Sequence, residues 1–465
     1  MGTDAEDFNN DGQMDIVTVD MLPPDEKTLK TYGSDEHFDT YNQKIIKNGY
    51  QNQVSRNCLQ MNNGNGVSFS DIALMSGISA TDWSWSPLFA DFDNDGNKDL
   101  FVSSGIVKRP VDMDYIRYKS NPEMSKLLNS TDKYDAPSLE KMPDGASHPF
   151  LFRGDGGHSF KDLSENWGTG KMKGYYNGAA YADLNNDGKL DLVINCLNAR
   201  AMILKNNSPK KNYFVIAFHG NGMNTSGIGA KAYLFSGGKM QYQQLMPTRG
   251  FMSSSDPRLH FGLDSLNRID SLVLVWPDQQ YELIKNPPVN TELQAEHKNA
   301  LQHFEYDQFF KRSPVPLINI SGQIGLKWRH EEDPFIDFNI QYLIPHMEST
   351  RGPKLAVADV NKDGLEDFFV CGAKGQPGAL MIQTKTGKFI SRDTAIFYKN
   401  AGSESVDAVF LDANQDGSPD LLTISGGNEY ENGNPALADH LYLNDGKGNF
   451  KEASNALPPV FINKY

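Results

Sequence analysis

The chain has 465 residues, with 44 basic and 59 acidic side chains and a formal charge of −15. That length holds two or three domains with ample core, and an acidic balance without a basic stripe argues against nucleic acid. No run of about 18 apolar residues exists to span a membrane as a helix. The three dispersed cysteines Cys58, Cys196 and Cys371 give neither a disulfide framework nor zinc spacing. Cys196 and Cys371 read as small buried hydrophobes.

The first twenty residues are acidic, without the features of a signal peptide. They open on Asp7-Phe8-Asn9-Asn10-Asp11-Gly12-Gln13-Met14-Asp15, a loop whose preceding strand is expected to be missing. Both ends of the chain look cut, as in a fragment of a longer protein. The same pattern, Asp-x-Asp/Asn-x-Asp-Gly-x-x-Asp, returns at Asp91–Asp99, Asp183–Asp191, Asp359–Asp367 and Asp412–Asp420. Oxygens at positions 1, 3, 5 and 9 converge on one point only if something neutralises them. A hard dication such as Ca²⁺, which accepts about 6–8 oxygens, suits them.

Five Ca²⁺ are therefore expected, one per loop. The side-chain ligands are Asp7, Asn9, Asp11 and Asp15; Asp91, Asp93, Asp95 and Asp99; Asp183, Asn185, Asp187 and Asp191; Asp359, Asn361, Asp363 and Asp367; and Asp412, Asn414, Asp416 and Asp420. Position 7 should contribute a backbone carbonyl, which leaves its side chain free to vary (Gln13, Asn97, Lys189, Leu365, Ser418). The glycine at position 6 permits the positive φ that turns the loop back. Bound calcium would offset most of the negative charge, because the loops hold 16 carboxylates at these positions. A plain Asx/Gly turn is the competing reading; it gives no reason for a carboxylate at position 9. The second loop, with four carboxylates, should bind most tightly.

These are not EF-hands, which need a bidentate Glu at position 12 between two helices. Position 12 is Thr18, Val102, Ile194, Val370 or Thr423, and the following runs read as strands: Ile16–Val19, Leu100–Val102, Leu192–Ile194, Phe368–Val370 and Leu421–Thr423. A second hairpin signature recurs as Leu59–Gly66 before Phe69, Phe150–Gly157 before Phe160, and Leu441–Gly446 before Phe450. Its Phe lies 22 residues before Asp91 and 23 before Asp183, and Phe389 lies 23 before Asp412. A constant offset marks one repeating unit, and the loops at 359 and 412 set its length at 53 residues. Four strands in such a unit suit a propeller blade. Insertions fall at 20–57, polar and irregular, and at 106–148, where Met113–Leu128 is expected to be partly helical with Pro122 interrupting it.

Catalytic readings are weak. Ser253-Ser254-Ser255-Asp256 with His260 lacks the oriented base a nucleophile needs, and no G-x-S-x-G elbow occurs. Gly227-Ile228-Gly229 has no βαβ context. Trp83-Ser84-Trp85 suggests one core and one surface tryptophan.

The loops and hairpins resemble FG-GAP/VCBS repeats, the calcium-clasped blades of integrin-type β-propellers. Asn212–Val215, Gly227–Ala230, Arg249-Gly250-Phe251, His260–Leu263 and Val275-Trp276-Pro277 resemble the ASPIC/UnbV module. The arrangement is similar to bacterial relatives of cartilage acidic protein. The resemblance implies an all-β protein with blades over 1–211, a β-rich ASPIC/UnbV module over 212–297 and further blades over 298–465. It also implies a calcium-binding protein that is extracellular or associated with the bacterial outer membrane or cell surface; the lack of a triad, zinc motif or cofactor loop favours a non-enzymatic scaffold that recognises a glycan or protein. The alternative is a carbohydrate- or lipid-active enzyme, with its site in the propeller channel or in a missing part of the chain.

Overall fold

The computed structural model describes residues 1–32, 47–50, 54–121, 136–310, 317–392, 395–458 and 462. Strands make up 37% and helices 9%, so the fold is all-β. The chain divides into two compact units, Met1–Lys311 and Arg312–Tyr465.

In the first unit the first blade is a four-stranded antiparallel meander of Thr3–Glu6, Asp15–Thr18, Cys58–Asn62 and Phe69–Asp71. Thr3–Glu6 is the strand that was expected to be missing; it pairs with Asp15–Thr18 in register Glu6↔Asp15. Its inward positions are Asp4 and Glu6, both buried, so hydrophobic patterning could not reveal it. The second blade runs Asp82–Ala90, Asp99–Ser104, Phe150–Gly154 and Phe160–Asp162, with Met21–Leu22 added beside its first strand. The third has Tyr176–Ala182, Asp191–Cys196 and Met202–Leu204.

The apolar runs after each loop follow from blade stacking. Successive side chains point to opposite faces of a strand, and the second blade is covered on both. Phe89, Leu100 and Val102 pack with Phe8, Val17 and Leu59 of the first blade. Leu88, Phe101 and Leu151 pack with Ala179, Leu192 and Ile194 of the third.

After the third blade the chain builds two sheets. One orders Arg258–Asp264, Asn212–His219 and Glu292–Glu296, the last pair parallel. The other orders Lys239–Gln244, Lys231–Ser236, Ser271–Val275, Gln280–Lys285 and Gln302–His303. Phe214, Ile216, Phe261, Leu272, Leu274 and Trp276 fill the core between them.

A small hairpin of this module, Thr248–Arg249 with Ser253–Ser254, touches the first strands of all three blades. Arg249 is buried. It donates to both oxygens of Asp4 at 2.7 and 2.8 Å, pairs with Glu6 at 2.9 Å and donates to the Tyr181 hydroxyl at 2.8 Å. Asp4 Oδ2 also accepts the Phe89 N–H at 2.7 Å. One guanidinium thus joins the first, second and third blades to the module. Gly250 follows at φ 69°, where a Cβ would collide with the Ser86 hydroxyl, and Phe251 packs on Trp85 with ring centroids 5.0 Å apart.

The second unit holds two four-stranded meanders: Leu355–Ala358, Asp367–Val370, Ala379–Gln383 and Phe389–Arg392, then Ser405–Leu411, Asp420–Ser425, His440–Asn444 and Phe450–Glu452. Phe369, Leu380, Phe397, Leu421 and Tyr442 form their shared core.

Two sequence expectations change. The 20–57 insertion is not irregular throughout, since it carries the Met21–Leu22 strand and a helix, Glu26–Thr31, capped by Asp25. Trp83 and Trp85 are both half-buried while Ser84 is buried, because residues two apart in a strand share a face. The second insertion forms a helix at Met113–Ser120 with Asp112 as its N-cap; 122–135 lies outside the described residues.

Arg249→Met would strand two buried carboxylates, and breaking a buried pair from one side costs about 3–5 kcal/mol. Chemical denaturation should register that loss, and adding Asp4→Asn and Glu6→Gln should recover part of it. A change within about 0.5 kcal/mol, as at ordinary surface positions, would show that the blades hold together without this residue.

Candidate metal centres

All five loops fold alike. The position-1 carboxylate accepts two backbone N–H groups, from position 5 and from the glycine at position 6. Asp7 takes Asp11 at 3.0 Å and Gly12 at 2.9 Å; Asp91 takes Asp95 at 3.0 Å and Gly96 at 2.7 Å. Asp183, Asp359 and Asp412 repeat this with Asp187 and Gly188, Asp363 and Gly364, and Asp416 and Gly417. The N–H of position 7 (Gln13, Asn97, Lys189, Leu365, Ser418) donates to the position-5 carboxylate. Where position 3 is Asn, at Asn9, Asn185, Asn361 and Asn414, its Oδ1 accepts from the position-5 N–H. The position-6 glycines have φ between 77° and 88°, the left-handed region that the sequence assigned them.

The ninth-position Asp has a structural use independent of any metal. Asp15 Oδ2 accepts from Phe8 N at 3.4 Å within its loop, and its Oδ1 from Asn62 N at 2.8 Å on the third strand of the blade. Asp99 does the same with Phe92 and Gly154, Asp191 with Leu184 and Asn206, Asp367 with Val360 and Gln383, and Asp420 with Ala413 and Asn444. A turn therefore does have a use for a carboxylate there: it locks the first hairpin to the next strand. Each carboxylate oxygen has two acceptor sites, so the clamp and a cation are compatible.

The five loops differ in cover. In the first unit the two-sheet module lies on them. His260 Nε2 sits 2.8 Å from Asn94 Oδ1, Asp264 N donates to Asn94 O at 2.8 Å, and a Cβ on Gly262 would collide with Asp91 Oδ2. Tyr213 lies on Gly188, and Met240 approaches Gly12. Asp91 and Asp99 are buried, and one oxygen each from Asp91, Asp93 and Asp99 fall within 4.8 Å of one another. The additional carboxylate of this loop faces protein cations. Asp93 pairs with Arg153 Nε at 3.0 Å and Lys211 Nζ at 3.3 Å, and Asp95 with Arg153 Nη2 at 2.6 Å. In the second unit Asp359 is half-buried and Asp412, Asn414 and Asp416 are exposed.

Burial raises acids of the first two loops. Asp7 is pushed up to about 8, partly opposed by the Gly12 N–H, and Asp15 to about 7. Asp91 and Asp99 also rise by burial, with Lys98 opposing at Asp91 and Asp91 adding to the rise at Asp99. The exposed Asp416 moves down through its bonds with Asn414 and Ser418.

Sequence reasoning missed the asparagines that tie neighbouring blades. Asn10 and Asn94, at position 4 with φ 59° and 55°, donate to Gly96 O at 3.0 Å and Gly188 O at 2.8 Å in the next loops. Asn206 bridges Phe92 O at 2.6 Å and Leu190 O at 3.0 Å, and Asn444 bridges Val360 O at 2.8 Å and Pro419 O at 3.0 Å. The signal was present in the recurrent Asn at position 4 and at the ends of third strands. Ser253 donates instead to Phe251 O, and His260 is buried with its imidazole pushed down to about 3, chiefly by burial. A serine hydrolase reading gains nothing from them.

This geometry agrees with the comparisons with known proteins. The family model for FG-GAP-like repeats matches residues 7–102 and 359–423, and the model for ASPIC and UnbV matches 220–302. The chain carries FG-GAP-like repeats and an ASPIC and UnbV domain. A relative, cartilage acidic protein 1 of Xenopus tropicalis, is 24% identical over 282 residues, which are 60% of this chain and 33% of that protein. The chain thus spans about a third of the length of this relative. FG-GAP repeats are typical of extracellular or surface proteins, and domains of these two kinds are typically non-catalytic. Among the described residues no helix is long and apolar enough to cross a membrane.

Asp99→Ala would leave the Phe92 and Gly154 N–H groups without acceptors, at about 1–3 kcal/mol each. That loss should persist in chelator, whereas Asp95→Ala, which gives up the Asn97 N–H and a partly exposed pair with Arg153, should cost clearly more with calcium present than in chelator. Thermal unfolding of both variants with and without calcium separates the roles. If Asp99→Ala matched wild type in chelator, the clamp would be unimportant.

Proposed function

We propose that this chain is a calcium-stabilised, non-enzymatic scaffold of the cell exterior that presents its blades and inserted loops to a glycan or protein partner. The observation that carries this reading is the one oxygen arrangement repeated in five loops, with the carboxylates of Asp91, Asp93 and Asp99 converging at the most buried of them. Ca²⁺ would be held by positions 1, 3, 5 and 9 of each loop, and it supplies charge neutralisation there. Like charges held this close repel unless compensated. A cation that binds only the folded state stabilises it by about 2.7 kcal/mol per site at a hundredfold excess over Kd. The extracellular setting follows from the repeat type, and the partner class from the breadth of surface that such repeats expose.

Elemental analysis after equilibration in calcium should find at least the five ions per chain that the loops would hold, and chelator should lower the melting temperature. Unchanged melting together with no bound metal would leave the loops as ordinary turns. A glycan array on calcium-loaded protein tests the partner class; silence there would direct the search to protein ligands.

Arg153 competes electrostatically with any cation at the second loop. Its pairs are partly exposed, where such interactions are worth about 0.2–1 kcal/mol. Arg153→Gln should therefore tighten calcium binding there by roughly two- to fivefold at low salt, with the gain shrinking as salt rises. Weaker binding in this variant would mean that Arg153 organises the site.

A further inference from the structure

Each blade has two ends, and the second blade shows how the end remote from its loop is neutralised. Asp82 lies nine residues before Asp91 and Arg109 eighteen after it. They form a two-pronged ion pair, Nη1–Oδ1 at 2.7 Å and Nη2–Oδ2 at 2.5 Å, largely out of water. In the fifth blade two acids, Glu404 and Glu429, lie near that end, eight residues before Asp412 and seventeen after it.

Glu404 is 2% exposed, and all four carboxylate oxygens of Glu404 and Glu429 are buried without a hydrogen-bond partner. Gly427, at φ 82°, sits where a Cβ would collide with an oxygen of each, so both acids crowd one point. The nearby charges are already engaged: Glu332 with His330 at 2.6 Å, and Asp333 with Lys374 at 3.4 Å, whose ammonium also lies 4.8 Å from the Tyr430 ring centroid. We propose that Glu404 and Glu429 form a cation site separate from the Asp loops, which takes one hard divalent ion of the calcium type with water completing its shell.

The chemistry is that of two buried like charges that pair with no basic side chain among the described residues. Such a pair must bind either a proton or a cation. Without metal the Glu404 carboxyl is held well above its ordinary value, first by burial and then by Glu429. Entry of the ion releases that proton to solvent and leaves both carboxylates as ligands. Glu429 is only half-buried as a residue, which gives the ion a path from solvent. This site does not rest on the proposal for the loops, whose residues it does not share.

The test uses the full chain and counts bound calcium after equilibrium dialysis, in wild type, Glu404→Gln/Glu429→Gln and Glu429→Arg. Both variants should bind one ion fewer per chain than wild type. Glu429→Arg, which sets an arginine beside the buried Glu404, should in addition melt higher than wild type in chelator. Equal nonzero counts in all three proteins would overturn this site alone and mean that the pair only shares a proton. A count of zero in wild type would sink both this site and the loop sites. A Glu429→Arg chain that keeps the full count would overturn the site even if the double variant misfolds.

Discussion

The first unit depends on one buried guanidinium. Three blades that converge edge to edge bring their first strands together, and the strand Thr3–Glu6 turns Asp4 and Glu6 toward that meeting point. Two carboxylates in a dry junction would drive it apart. Arg249 removes the conflict with a geometry that lysine could not supply, a planar fork that engages Asp4 twice, Glu6 once and the Tyr181 hydroxyl. The ASPIC and UnbV domain is therefore integral to the blades it follows. Its Arg-Gly-Phe tip packs against the first strands of the three blades, with the glycine required for close approach and the phenylalanine laid on Trp85.

The same logic of charge and compensation organises the loops. A position-1 carboxylate that accepts two N–H groups, and a position-9 carboxylate that accepts two more, hold the backbone of every loop in one shape. This preorganises the remaining oxygens. Preorganisation matters because like-charged ligands gathered only at the moment of binding would cost both ordering entropy and repulsion. Cover then differentiates the sites. The domain that supplies Arg249 also lays His260, Gly262 and Tyr213 against the second and third loops, and burial raises Asp91 and Asp99 of the second. The fourth and fifth loops keep the same internal bonds with far less cover.

Much of this was legible in the sequence because the relevant forces are local. Asp and Gly spacing fixes a loop, and the apolar runs after each loop are strands as read, since stacked blades bury both faces. What was not legible depends on distant partners. Thr3–Glu6 reads as polar and is a strand because Arg249, some 245 positions away, neutralises its buried acids. The pairing of Arg153 with Asp93 and Asp95 spans a similar gap in kind: nothing near the second loop foretells it. The second sheet of the module closes with Gln302–His303, past residue 297, because Phe304 packs on Tyr233 from beyond that point. Position 9 was legible as important but for an incomplete reason, since its backbone clamp appears only when the third strand is in place.

These cases reduce to one question asked at each acid: which group supplies the positive end. At position 9 it is the backbone N–H. At Asp4, Asp82 and Asp93 it is an arginine brought from elsewhere in the chain. At Asn9 and Asp11, positions 3 and 5 of the first loop, the partners found among the described residues are an amide and peptide N–H groups, which leaves net negative charge facing outward. The blades thus sort their own acids into those satisfied internally and those left for solution. On the proposed reading, a fold whose blade ends are closed by protein cations in one place and left anionic in another would have its stability set in part by the ions around it. That dependence would suit repeats that are typical of extracellular or surface proteins.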